Sequence, residues 1–273
     1  MTHGARWRVA AASTIGTSHD ATGAPCQDAH ACEFLATGEG GTATLFAVAD
    51  GAGTASRSDV GAATACRELA RLVREHLDAG GSVAGVERTQ AVGWIVSIVR
   101  ALSALADGEG VPVREYACTL LAVVADESHA AFLQIGDGAI VVSEGPEDGW
   151  SWVFWPQHGE FANTTNFVVA PDAADVLEFK VDERRFVEVA LFTDGIENLV
   201  LRQAERSVHQ PFFSTMIKPV RESPVDGVDA ALSDGLARYL AAPVVTDRTD
   251  DDKTLILASR MARPASFEAE PAV

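Results

Sequence analysis

The sequence predicts an α+β fold of four layers, α/β/β/α, in which two antiparallel sheets stack face to face and helix pairs cover their outer faces. Three observations carry this expectation. The chain opens with short strand-like runs, continues with two long segments of helical periodicity, and then turns β-rich through its middle before becoming helical again and closing on one strand. That order suits neither a doubly wound parallel sheet nor a helical bundle, whereas stacked antiparallel sheets with outer helices accommodate it. No internal repeat and no long linker divides the chain, so residues 1–258 read as one domain and 259–273, rich in Pro, Glu and Ala, as a disordered tail.

Each element has its own justification. Arg8 to Thr14, Ala29 to Leu35 and Thr44 to Ala49 are short β-rich runs, the last ending at Asp50. From Val60 to Leu77 the apolar positions Ala62, Cys66, Leu69, Val73 and Leu77 recur at intervals of three and four, which predicts a helix. Ser58 and Asp59 offer N-caps for it and Gly80-Gly81 a stop. Val92, Ile95, Val96, Val99, Leu102 and Leu105 mark a second helix from about Val86 to Leu105. Cys118–Ala125, Ala130–Ile135 and Ala139–Ser143 read as strands of an antiparallel meander, with Asp126-Glu127-Ser128 and Gly136-Asp137-Gly138 as hairpin turns. Phe167–Ala170, Val176–Val181 and Val187–Phe192 read as further strands, and Gln157 to Thr165 as a polar surface loop. Beyond Glu197 the pattern is helical, including Val228 to Leu240, and Thr254 to Ala258 is the final strand.

Composition narrows the function. With 273 residues, 47% of them hydrophobic, the chain can bury a substantial core. A formal net charge of −18 argues against a nucleic-acid partner and against docking on anionic membranes. No apolar run in the sequence approaches the roughly 20 residues of a bilayer span. The start of the chain lacks the pattern of a signal peptide, so a cytoplasmic location is expected. Cys26, Cys32, Cys66 and Cys118 form no Cys-x-x-Cys pair and read as reduced, mostly buried thiols.

Five aspartates stand at the ends of apolar runs: Asp28 after Cys26-Gln27, Asp50 in Ala49-Asp50-Gly51-Ala52-Gly53, Asp137 between two glycines, Asp194 in Thr193-Asp194-Gly195, and Asp251 in Asp250-Asp251-Asp252-Lys253-Thr254. A carboxylate delivered by a buried strand to a turn is half desolvated, which is costly unless something positive shares the site. Several such groups from distant parts of one chain suggest a hard divalent metal centre. Taken singly, each has a plainer reading as a turn, cap or acidic loop residue. The metal reading explains all five together.

The ordered set Gln27-Asp28, Asp50-Gly51-x-Gly53, Gly136-Asp137, Thr193-Asp194-Gly195 and Asp251-Asp252-Lys253-Thr254 resembles the metal-dependent protein phosphatases of the 2C type, over roughly residues 8 to 258. Ser18-His19, Gly23 and Pro25-Cys26-Gln27-Asp28 look like a bacterial branch of that family. The resemblance implies a Mn²⁺- or Mg²⁺-dependent protein serine/threonine phosphatase with two metal ions. In it Asp50 would bridge the ions, Asp194 and Asp251 would complete one ligand set, the Gly51 carbonyl would serve the other ion, and Asp28 would hold water from behind. Asp137 would be an optional ligand of a third ion. Phosphate would leave by attack of a metal-bridging water on a phosphorylated protein, with an opposing Ser/Thr kinase as the implied partner. Oxygen-only ligands suit Mg²⁺ or Mn²⁺ better than zinc.

Three positions depart from the family pattern. Gly23 stands where many relatives carry a phosphate-gripping Arg, Ala52 where some carry a His that protonates the leaving oxygen, and Asn198 where a third-metal Asp is expected. Arg57 and His19 are then the candidates for the phosphate clamp, Arg57 at the start of the first long helix, where an anion is favoured. The missing Arg and His motivate an alternative, a catalytically weak regulatory or binding module on the same fold, and a small-molecule phosphohydrolase is a third reading.

Overall fold

A computed structural model of the chain describes residues 6–38, 41–157 and 165–261. In chain order its elements begin with β1 (Trp7–Thr14), helix α1 (Thr17–Thr22), β2 (Ala29–Ala36) and β3 (Thr42–Ala49). The long helices α2 (Ser58–Asp78) and α3 (Arg88–Glu109) follow, then β4 (Leu120–Ala125), β5 (Ala130–Ile135), β6 (Ala139–Ser143) and β7 (Ser151–Trp152). The remainder comprises α4 (Ala173–Val176), β8 (Glu178–Asp182), β9 (Glu188–Phe192), α5 (Glu197–Val200), the hairpin β10 (Leu201–Arg202) and β11 (Ser207–Val208), α6 (Gln210–Glu222), β12 (Gly227–Val228), α7 (Ala230–Leu240), α8 (Pro243–Thr246) and β13 (Lys253–Arg260).

The strands form two sheets, ordered β2-β3-β4-β5-β8 and β12-β1-β13-β9-β6-β7. Alternation decides which face of each strand goes where. In β3, Phe46 and Val48 point between the sheets to meet Trp7, Val9, Ile140, Leu191 and Ile256. Leu45 and Ala47 point outward to α2 and α3, where Leu69, Val73, Trp94, Ile98 and Leu102 cover them. On the far side Ala190, Phe192, Leu255 and Leu257 pack on Phe213, Ile217, Leu236 and Leu240 of α6 and α7. The four predicted layers are therefore present.

Several local expectations are corrected. Gly136-Asp137-Gly138 is not a hairpin turn: β5 pairs with β4 in one sheet, while β6 pairs with β9 in the other, so the segment carries the chain across the sandwich. A hairpin would have buried Ile140 against its own sheet instead of the facing one. Gly136 takes φ +120, and a Cβ on Gly138 would overlap the Phe192 carbonyl, so two glycines make the crossing possible. The other separator is a hairpin, with Asp126 Oδ1 accepting from the Ser128 and His129 amides at 2.8 Å.

Phe167–Ala170 is a turn, not a strand, because the Ala170 amide bonds the Phe167 carbonyl ahead of Pro171 and α4. Ser58 is the first helical residue of α2 and donates to the Ala55 carbonyl instead of capping. The last strand runs through Arg260, two residues beyond expectation, because the buried Arg260 lies over Trp7 at 4.4 Å and donates to the Phe186 carbonyl. The expected tail began at residue 259, but Ser259 and Arg260 belong to that strand; residues 262–273 of the tail, and residues 158–164 of the expected loop, lie outside the described residues. Among the described residues one helix, α3, is long and apolar enough by composition to cross a membrane, contrary to the sequence expectation. Its Trp94, Ile95, Ile98 and Leu102 lie in the core.

Candidate metal centre

Strand register alone brings the aspartates to one end of the sandwich. Ala29 at the start of β2 pairs with Ala49 at the end of β3. The start of β4 faces the end of β5, with Leu120 opposite Ile135. In the second sheet Phe192 at the end of β9 sits between Ala139 of β6 and Leu255 of β13. Asp28, Asp50, Asp137, Asp194 and Asp251 are thus the residues that enter or leave the two sheets along a single edge.

The backbone at this edge is fixed by short contacts. The Asp50 amide donates to Thr119 Oγ1 at 2.9 Å and the Thr119 amide returns to the Asp50 carbonyl at 2.8 Å. The Gly51 amide bonds the Gln27 carbonyl at 3.1 Å, and a Cβ on Gly51 would press on that oxygen and on Ser58. Thr193 Oγ donates to Asp28 Oδ2 at 2.7 Å while accepting from the Thr254 amide at 3.0 Å, tying β9, β13 and the entry to β2 together.

One carboxylate oxygen each from Asp50, Asp137 and Asp194 lie within 4.8 Å of one another. Asp137, expected only as an optional ligand, is part of the tightest grouping, held by a hydrogen bond from Thr165 Oγ1. Asp251 stands close enough for its charge to raise both Asp50 and Asp194, although its Oδ1 accepts the Asp252 amide at 2.8 Å. Asp28 borders the group from the entry to β2.

The grouping crowds buried carboxylates against one another. Burial, followed by repulsion from Asp28, Asp194 and Asp251, pushes the Asp50 carboxyl well above its ordinary range. Burial pushes Asp28 up to about 7 against the lowering effect of its threonine bonds. Burial and then Asp137 and Asp251 push Asp194 up to about 7. Asp28 Oδ1 and Asp194 Oδ1 are buried without a hydrogen-bond partner. Crowded, partly orphaned carboxylates of this kind fit a hard divalent cation, whose charge would reverse the repulsion. Asp50, Asp137, Asp194 and Asp251 could hold such ions.

Sequence reasoning missed three neighbours. Asn198 is exposed, whereas Glu197, one residue earlier on α5, is buried and repelled by Asp137, its carboxyl pushed up to about 7 chiefly by burial. Its place three residues after Asp194 was the available signal, since that spacing puts both on one face of a helical turn. Asp252 is buried and accepts the Gly16 amide at 2.6 Å and the Gln27 amide at 2.5 Å, so it anchors the edge. Lys253 is fully buried and donates to the Asp251 carbonyl at 2.8 Å and the Ile15 carbonyl at 3.3 Å, its ammonium lowered by burial and sustained by Asp252, Asp251 and Asp28.

The two phosphate-clamp candidates part company. Arg57 is not brought to the edge group: its Nε bonds Glu109 on α3 at 2.7 Å and its guanidinium also bonds the Ser56 carbonyl. His19 lies with its Nδ1 3.0 Å from Asp252 Oδ2. Gly23 closes α1 at φ +71, a conformation an Arg rarely takes, and Ala52 is packed with Ala55 and Ala117. The cysteines are free thiols; burial pushes Cys26, Cys32 and Cys66 up to about 12 and Cys118 well above the ordinary thiol range, so none is a ready nucleophile.

The family model described as Protein phosphatase 2C matches residues 15–240. Serine/threonine-protein phosphatase 3 of Escherichia coli K12 is 36% identical over 252 residues, covering 92% of this chain and 98% of that protein. Among solved structures, the Mycobacterium tuberculosis serine/threonine phosphatase PstP superposes with a TM-score of 0.63 at 15% identity, covering 93% of this chain and 98% of the other. The PstP catalytic domain in complex with two manganese ions gives 0.61 at 14% identity, covering 94% and 100%.

Proposed function

The chain belongs to the protein phosphatase 2C family, and from that premise we propose that it is a Mn²⁺- or Mg²⁺-dependent protein serine/threonine phosphatase acting on phosphoserine and phosphothreonine. The observation that carries the reading is the convergence of Asp50, Asp137 and Asp194 at a buried strand edge, with Asp28 and Asp251 beside them and two buried carboxylate oxygens lacking a protein partner.

Asp50, Asp194 and Asp251, with the Gly51 carbonyl, would hold two ions, and Asp137 with Glu197 would offer oxygens to a third. When bound, the cations supply the Lewis acidity that activates water and neutralises a transferring phosphoryl group. The chain's own residues do the positioning. Thr119 and Gln27 fix the Asp50-Gly51 backbone, Thr193 aims Asp28, and Asp252 ties the entry to β2 to the loop before β13. Lys253, bonded to the Asp251 carbonyl, offsets part of the negative charge of Asp252, Asp251 and Asp28. Water attacks phosphorus directly, with no phosphoenzyme, consistent with thiols raised out of the reactive range. The substrate is a phosphorylated protein, and the enzyme works against a Ser/Thr kinase.

Phosphate release from a phosphothreonine peptide should stop on treatment with EDTA and return with added Mn²⁺. Turnover that survives chelation and dialysis would remove the metal from the proposal.

A further inference from the structure

We propose that Arg206 is a specificity residue of this phosphatase: held over Trp152 and Trp155, it binds a carboxylate of the substrate polypeptide outside the phosphorylated residue itself. The inference rests on the phosphatase reading above. The surface concerned is a groove of about 510 Å³ beside β7 and the start of β8, the last strands of the two sheets. Trp152, Trp155 and Arg206 line one part of it, and Gln157, Asn166 and Glu178 another. The second part is joined to the metal edge. The Gln157 amide bonds the Gly136 carbonyl at 3.1 Å, and Gln157 Oε1 accepts from the Gly136 amide at 2.9 Å and from Asn166 Nδ2 at 3.2 Å. Thr165, next to Asn166, bonds Asp137 itself. A polypeptide whose phosphorylated residue reaches the carboxylates can therefore continue along this groove.

Arg206 stands where backbone geometry disfavours it. It ends the loop 203–206 between β10 and β11 at φ +46, the one non-glycine residue at positive φ among the described residues. A Cβ makes that conformation costly, and glycine is its ordinary occupant. The Arg206 amide bonds the Gln203 carbonyl at 3.2 Å, and Trp152 Nε1 donates to the Arg206 carbonyl at 2.9 Å. The guanidinium carbon then lies 5.9 Å from the Trp152 ring centre and 5.3 Å from that of Trp155, whose rings meet edge to face 5.6 Å apart. Strain retained at a residue whose side chain is aimed this closely points to a use for that side chain.

Stacking on the indoles orients the guanidinium plane and leaves its N–H edge for an acceptor. Among the described residues Arg206 makes no ion pair, although the chain carries a formal net charge of −18. Trp152 is 38% exposed, and its one polar atom is already bonded, so it offers an apolar face beside the cation. An extended peptide with a carboxylate for Arg206 and an apolar side chain for the indole satisfies both, and Trp and Arg are the residues that most often anchor a partner. Glu178, the groove's own carboxylate, lies beside Gln157 with Oε2 buried, so an acidic side chain is favoured at the Arg206 part and not at the Gln157 part.

The test uses phosphothreonine peptides in which one Asp is moved along an otherwise neutral sequence, with p-nitrophenyl phosphate as a substrate that has no polypeptide. Wild-type protein with Mn²⁺ should show KM lowered about three- to tenfold at one or two Asp positions, with kcat unchanged. Arg206→Gly is expected to fold at least as well as the wild type, since the loop conformation favours glycine. It should erase the Asp preference in KM while keeping kcat on the peptides and the rate on p-nitrophenyl phosphate. Arg206→Glu should transfer the preference to a Lys at the same position. An Asp preference that survives Arg206→Gly, a wild type indifferent to Asp at every position, or equal losses on peptides and p-nitrophenyl phosphate would each overturn the assignment while leaving the phosphatase reading standing. Wild-type protein inert towards both kinds of substrate with Mn²⁺ would overturn both.

Discussion

Asp28, Asp194 and Glu197 each hold a carboxyl near neutrality because burial and neighbouring carboxylates disfavour the anion. In the unfolded chain the same groups release their protons near 4. Between those limits the folded state binds more protons than the unfolded one, so stability falls as pH rises. The metal-free protein should therefore show a melting temperature that declines from about pH 4 to about pH 7, relative to an Asp28→Asn variant, which lacks one of these titrations. Divalent cation should restore stability at neutral pH by binding only the folded form. A metal-free melting curve insensitive to both pH and Mn²⁺ would show that the carboxylates do not repel as described. At the same scale, Glu197→Gln should weaken any additional Mn²⁺ site by about 10–100-fold, whereas Asn198→Gln should not, because Asn198 faces solvent.

At the scale of elements, the site depends on a close approach that involves no ligand side chain. A Cβ on Gly195 would overlap the Asp252 carbonyl, so Gly195→Ala must push the β9 exit away from the β13 entry. Overpacking of this sort costs about 1–3 kcal/mol. Because the moved segments carry Asp194 and Asp251, Mn²⁺ affinity should fall more than thermal stability does; an unchanged calorimetric titration would contradict the close-packed edge. Elements were legible where periodicity was strong: β5 and β6 match the sequence reading at both ends, and α2 and α3 lie where the apolar spacing places them. They were illegible where tertiary partners decide. The strand character of Phe167–Ala170 yields to a turn, α1 has no apolar face to announce it, and the two-residue pairing of β10 with β11 follows from neither composition nor spacing. Glu197 was overlooked for a related reason: its neighbour Asn198 occupies the family's position, and only the helical turn shows which of the two faces inward.

The whole molecule is two sheets held apart by one apolar layer and clamped by helices, so damage far from the edge should act through stability. Glu188 is fully buried on β9 and paired with Arg221 of α6 at 2.6 Å, joining the second sheet to its helix layer. Arg221→Met leaves that carboxylate uncompensated and should cost about 3–5 kcal/mol, read as a lowered denaturation midpoint. Mn²⁺ affinity of the folded variant should be unaltered, and a large change there would mean that the helix layer and the carboxylate edge are coupled. The layer order itself could be read from the succession of strands and helices, because amphipathic segments have few ways to cover two sheets. The crossing at Gly136-Asp137-Gly138 could not, since a Gly-Asp-Gly segment between two strands has the composition of a hairpin whichever sheet receives the second strand. That crossing is what brings Asp137 to Asp50 and Asp194. The most direct measurement is calorimetric Mn²⁺ titration of wild-type and Asp50→Asn protein, read beside phosphate release from a phosphothreonine peptide. The wild type should bind at least two ions and turn over, and Asp50→Asn should lose on the order of 10²-fold or more in both affinity and rate. Undiminished binding and turnover in Asp50→Asn would contradict a metal centre built on this edge.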